Sequence, residues 1–255
     1  MSVRIRIAFT IAALLLAAAC VNDQPPVVAS AGNAAPPVAG GEVSAAQWRT
    51  VLVAGDSSTP AFDNGVEALR VKLARRGVTD ITVYSADPAS VPPQRLSTSA
   101  NVRAGLGARG GAACLVFMTS HGNEDGIYLR SDRRIFPPTA LDRALTEGCG
   151  GAPTVVVISA CHSGTFIDNG ARRPNRIILT AAATSRTSFG CGADDEYTNY
   201  DYCLLQSFDG AETWGGLATA TRACVEGLER KTGVRPSLPQ LFVGASVANL
   251  RLPRR

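Results

Sequence analysis

Two short segments carry residue types able to do covalent chemistry: Met118-Thr119-Ser120-His121-Gly122 and Ser159-Ala160-Cys161-His162-Ser163-Gly164. Each follows an apolar run and passes through small residues to a reactive side chain with glycine close behind. A thiol is a strong nucleophile as thiolate, and an imidazole within reach favours that form and can later return the proton. The 255 residues contain two histidines, so the base is His121 or His162. His162 adjoins Cys161, and neighbouring side chains diverge, which leaves His121 as the expected partner. The backbone N–H groups of Gly122 and Cys161 are candidates for holding an oxyanion, because Gly122 has no side chain to crowd an approaching carbonyl.

That chemistry needs the two segments side by side, and the surrounding pattern supplies the means. Apolar runs at 51–54, 81–84, 114–118, 155–158 and 177–179 read as strands. Helical stretches are expected from Val66 to a stop at Gly77, from Pro93 to Ala108, from Thr139 to Glu147, and from Trp214 to Arg230. Gly126 to Phe136 reads as a hairpin insertion and 184–203 as a polar loop. Near-continuous apolar strands alternating with helices predict an α/β fold, a mostly parallel sheet with helices on both faces. Sites in such sheets form at the carboxyl ends of the strands. Adjacent parallel strands lie roughly 4.8 Å apart, so neighbouring tips would bring His121 and Cys161 to one crevice.

The two segments resemble those of the legumain family of cysteine peptidases, which also includes the glycosylphosphatidylinositol transamidase catalytic subunit. That family ends one apolar strand in His-Gly and another in Ala-Cys-x-Ser-Gly, matched here by His121-Gly122 and Ala160-Cys161-His162-Ser163-Gly164. Val51-Leu52-Val53-Ala54-Gly55 and Thr180-Ala181-Ala182-Ala183, continuing through Ser185 to Cys191, are similar as well, so the resemblance spans about 50 to 230. It implies a caspase-like fold and hydrolysis of a peptide or protein substrate through a thioester, with no cofactor and no metal. It also implies that Ser188 and Asp201 shape the primary specificity pocket. Where legumains carry Asn-Tyr-Arg-His after the first strand, this chain has Ala61-Phe62-Asp63-Asn64. Without that arginine, Asp63 and Asp201 could form an acidic pocket for Arg or Lys in place of Asn, and Asn64 could orient the histidine. A transpeptidase using the same acyl-enzyme, and a catalytically silent binding module with Cys161 sequestered in a bridge, are the competing readings.

Composition narrows the setting. The net charge of +4 is spread along the chain with no basic block, which argues against a nucleic-acid partner. No G-x-S-x-G elbow or phosphate-binding G-x-x-x-x-G-K-[ST] loop occurs. At the amino terminus, Arg4 and Arg6 precede an apolar run, Ile7 to Ala19, too short for a comfortable membrane span. It ends in Ala17-Ala18-Ala19-Cys20, which resembles a bacterial lipoprotein processing site and makes Cys20 the expected lipid-bearing residue. Val21 follows in place of an inner-membrane-retaining Asp, so the expected location is the cell envelope, anchored to the outer membrane on its periplasmic side. The chain then divides into a signal peptide (1–20), an Ala/Pro/Gly-rich tether (21–46) and a peptidase domain (47–255). Apart from Cys20 there are six cysteines; with Cys161 a working thiol, one of the other five stays unpaired, and Cys191–Cys203 is the expected bridge.

Overall fold

In a strand buried on both faces, successive side chains enter opposite layers. The computed structural model describes residues 41–254 and shows this alternation along a six-stranded sheet. Its strands are β1 (Trp48–Ala54), β2 (Asp80–Tyr84), β3 (Ala113–Thr119), β7 (Thr154–Ser159), β8 (Arg176–Thr180) and β9 (Gln240–Val243), in the order β2-β1-β3-β7-β8-β9. All pairings are parallel except β8 with β9. Strands β4 (Gly122–Asn123), β5 (Gly126–Leu129) and β6 (Arg134–Phe136) form a small antiparallel sheet in the excursion between β3 and β7.

Leu52, Leu115, Phe117, Val155, Val157 and Leu179 face one layer, where they meet α1 (Pro60–Arg75), α5 (Asn199–Phe208) and α6 (Trp214–Thr232). Val51, Val53, Val116, Met118, Val156 and Ile158 face the other, against α2 (Ser99–Gly107), α3 (Pro138–Gly148) and α4 (Thr165–Asp168). The expected α/β sheet with helices on both faces is therefore present. The edges are β2 and β9, both partly exposed, as edge strands are.

Four expectations change. The helix expected from Pro93 begins only at Ser99: Pro93–Arg95 is a single 3-10 turn, and Thr98 caps the helix by accepting from the Asn101 N–H at 3.2 Å. The polar loop stops at Thr198, whose hydroxyl caps α5 by accepting from the Asp201 N–H at 3.0 Å. Residues 41–46 are not tether but domain: Val43 and Ala45 are buried, the Trp48 indole donates to the Val43 carbonyl, and Ala45 N–H donates to Arg254. The expected signal peptide, the expected lipid-bearing Cys20 and the rest of the expected tether lie outside the described residues.

The cysteine pairing also differs. Cys203 is fully buried on α5 and bonds Cys224 of α6, while Cys114 at the start of β3 bonds Cys149 at the end of α3. The Cys191–Cys203 bridge is absent because Cys203 faces the α5–α6 interface, leaving Cys191 and Cys161 as free thiols. No helix among the described residues is long and apolar enough to cross a membrane.

Candidate active site

Strand register builds the site. β3 pairs β7 in parallel with Thr119 opposite Ser159, and the Ser120 N–H continues the ladder to the Ser159 carbonyl at 3.1 Å. His121 and Cys161 are each two residues beyond that last rung, so they leave adjacent strands at the same height. Contact between the two tips is close. A Cβ placed on Gly122 would lie 2.7 Å from the Cys161 carbonyl oxygen and 3.0 Å from the Ala160 Cβ, so only glycine fits after His121.

Both reactive residues line one cleft with Phe62, Ser188, Phe189 and Thr198, among others, and both are half-buried. Its cavity volume is 10 Å³, room for about one water. Phe62 of α1 stands edge-on to the His121 ring at 5.2 Å between centroids, which fixes one side of the imidazole. Below it, the Ser120 hydroxyl donates to the Tyr128 carbonyl at 2.7 Å and Tyr128 N–H donates to the His121 carbonyl, pinning the backbone of the tip to β5. The Cys161 sulfur is bracketed by one residue: the Ser188 N–H donates to it at 3.3 Å, and the thiol donates to the Ser188 carbonyl at 3.5 Å.

The rest of the second segment is structural. His162 adopts φ 57° and turns its ring away, Nδ1 donating to the Thr184 carbonyl at 2.7 Å. The Ser163 hydroxyl accepts from Ala182 N–H at 3.0 Å, and Gly164 N–H donates to the Ala182 carbonyl. These bonds fasten the turn after Cys161 to the end of β8.

Asp63 and Asp201 do not form an acidic pocket. Asp201 is 0% exposed, behind the hydroxyls of Ser159 and Thr198, which share a hydrogen bond at 3.3 Å and themselves face the cleft. It accepts from the Thr119 hydroxyl at 2.7 Å. Burial raises its pKa to about 6, although the hydroxyls of Thr119, Ser159 and Thr198 pull the other way. Asp63 turns to the end of β2, accepting from the Ser85 hydroxyl at 2.6 Å, and burial pushes its carboxyl up as well. Asn64 donates to the Glu196 carbonyl at 3.0 Å and does not orient His121. Of the expected binding residues, only Ser188 reaches the cleft. Sequence reasoning passed over Phe62, Phe189 and Thr198, which carry no chemical signature and reach the cleft through the packing of α1 and the approach to α5, and it assigned Cys191, which also lines the cleft, to a bridge.

A larger cavity, 370 Å³, lies between Arg76, Glu212 and Arg254. It holds no nucleophile, and Glu212 there is paired with Arg251 at 2.8 Å.

Comparison with known proteins follows the same division between site and scaffold. Residues 109–211, which hold both strand tips and the Ser188 loop, match the Peptidase C13 family. In fold, the chain is similar to caspase-1 from Spodoptera frugiperda, with a TM-score of 0.59 at 13% identity over 87% of this chain and 94% of that one. A search of curated proteins finds no match. Residues 109–211 thus carry a match to the peptidase C13 family, and the chain around them has a caspase-like fold.

Proposed function

We propose that the protein is an endopeptidase in which Cys161 is the nucleophile and His121 the acid and base. The observation that carries this reading is the register of β3 on β7, which sets the two residues at equal height over one cleft. The Cys161 thiolate attacks the scissile carbonyl carbon, and the N–H groups of Gly122 and Cys161 receive the oxyanion. His121 protonates the departing amine as the carbon–nitrogen bond breaks, leaving a thioester on Cys161. Deprotonated His121 then takes a proton from water, whose oxygen displaces the sulfur and releases the new carboxyl terminus.

The walls that meet the substrate carry no charged side chain: Phe62, Phe189, Ser159, Ser188 and Thr198 are apolar or hydroxylated. We therefore assign a neutral residue to the primary specificity position, since a buried lysine or arginine would find no counter-charge there. Because the cavity holds about one water, the Ser188 segment has to yield when a peptide side chain enters.

The test is a peptide-library cleavage profile of the wild type with Cys161→Ala and His121→Ala. The expected result is cleavage after neutral residues, lost in Cys161→Ala and reduced at least ~10²-fold in kcat in His121→Ala. Wild-type rates in Cys161→Ala would overturn the reading, and cleavage after Arg or Lys would overturn the specificity.

The setting proposed with this activity is the bacterial envelope, with the domain tethered through a lipid on Cys20. Cys20→Ser should move the protein from the membrane fraction to the soluble one. Retention of that variant in the membrane fraction would exclude the anchor.

A further inference from the structure

The six cysteines of the described residues fall into two groups. Four are joined in disulfides, Cys114–Cys149 and Cys203–Cys224. The remaining two, Cys161 and Cys191, are free, and both line the same cleft. Stable disulfides belong to an oxidising compartment. Two half-buried thiols facing one small cavity in such a protein are exposed to the same oxidants.

The loop between β8 and α5 brings the second thiol there. Ser188 grips the Cys161 sulfur through both its N–H and its carbonyl, and Cys191 follows three residues later. Gly190, at φ 85°, turns the chain between them, and a Cβ there would lie 2.6 Å from the Asn199 nitrogen, so the turn is fixed at the approach to α5. Phe189 and Cys191 then enter the cleft from the same side as Ser188. Burial raises the Cys191 pKa, and negative charge on Cys161, and secondarily on Asp195, raises it further.

We propose that Cys191 is a resolving thiol, which closes a reversible disulfide with Cys161 and so locks the cleft under oxidising conditions. The oxidant is a low-molecular-weight disulfide. The Cys161 thiolate attacks one of its sulfurs, forming a mixed disulfide and expelling one thiolate. Cys191 gives up its proton to that thiolate and attacks the Cys161 sulfur, expelling the second half, which leaves as a thiol after taking up a proton from water. Two protein thiols and one external disulfide become one protein disulfide and two external thiols. A dithiol reverses the exchange, so a dithiol reductant in the same compartment would be the activating partner. While the bond is closed, Cys161 has no thiolate to acylate. That consequence rests on Cys161 being the nucleophile; formation of the bond does not.

The experiment treats the purified protein with excess oxidised glutathione, digests it without reduction, and maps disulfides by mass spectrometry. Labelling of Cys161 by an alkylating agent is followed before and after dithiothreitol. The expected result is a Cys161–Cys191 linked peptide, at least a tenfold fall in Cys161 labelling, and recovery with the dithiol. Cys191→Ser and Cys191→Ala should instead stop at a glutathione adduct on Cys161. A wild type that also stops at that adduct, or that links Cys191 to any other cysteine, would overturn the proposal. Because the readouts are a linkage and an alkylation, they are independent of catalysis. A protein that forms the link but stays peptidase-inactive after dithiothreitol would count against the catalytic reading alone, and an active protein with no link against the latch alone.

Discussion

At the scale of single residues, the close approach of Gly122 to Cys161 is the most sensitive point of the molecule. Gly122→Ala puts a methyl group 2.7 Å from the Cys161 carbonyl oxygen, and backbone on both sides leaves nothing flexible to move. Misplacing a reacting group by about 1 Å costs on the order of 10²-fold in rate. The expected outcome is a folded protein by circular dichroism with kcat down about that much; an unchanged kcat would mean the tips are not in contact. That His121 and Cys161 meet over one cleft was legible because each stands just past an apolar run, and paired strands with an equal overhang must bring their ends together. Asp63 and Asp201 were misread for a physical reason. A carboxylate's exposure depends on which way its helix faces, and Asp201 sits on the face of α5 that meets β3 and β7.

At the scale of elements, Asp201 ties the start of α5 to β3 by accepting from the Thr119 hydroxyl. Its pKa is about 6 when folded against an ordinary 3.8, so the folded state holds its proton more tightly than the unfolded chain. The stabilisation is complete below about pH 4 and is lost as pH rises through about 6, a change of roughly 3 kcal/mol. Asp201→Asn cannot titrate. Denaturant melts of both proteins at several pH values should show the difference moving in the variant's favour by up to about 3 kcal/mol between pH 4 and 7. A constant difference would show that the carboxyl is not held in its acid form. The central strands and α1, α3 and α6 were legible because their apolar periodicity is strong. Helix α5 was hidden because its first turn, Asn199-Tyr200-Asp201, continues the polar composition of the preceding loop. Strand β9 was hidden because an edge strand with one buried residue out of four has no pattern to detect.

At the scale of the whole molecule, the two disulfides fasten helices to neighbours on opposite faces of the sheet: α5 to α6 on one side, and α3 to β3 on the other. Closing the 21-residue separation between Cys203 and Cys224 is worth about 3 kcal/mol. Replacing both with alanine should lower Tm by roughly 6–12 °C in a scanning calorimeter, with the Cys114–Cys149 bond intact. A shift below about 1 °C would show that α5 and α6 are held by packing alone. No sequence argument could choose this pairing, since connectivity is decided by which helix faces meet after folding.

The described chain enters beside its own carboxyl end, with Ser44 bridged to Arg254, and runs directly into the amino end of β1. His121 and Cys161 sit past the opposite ends of strands parallel to β1, about 20 Å further along. The start of the described chain and the cleft are thus at opposite poles. Whatever is joined ahead of Gly41 therefore attaches at the pole away from the cleft and leaves the approach of a polypeptide to His121 and Cys161 unobstructed.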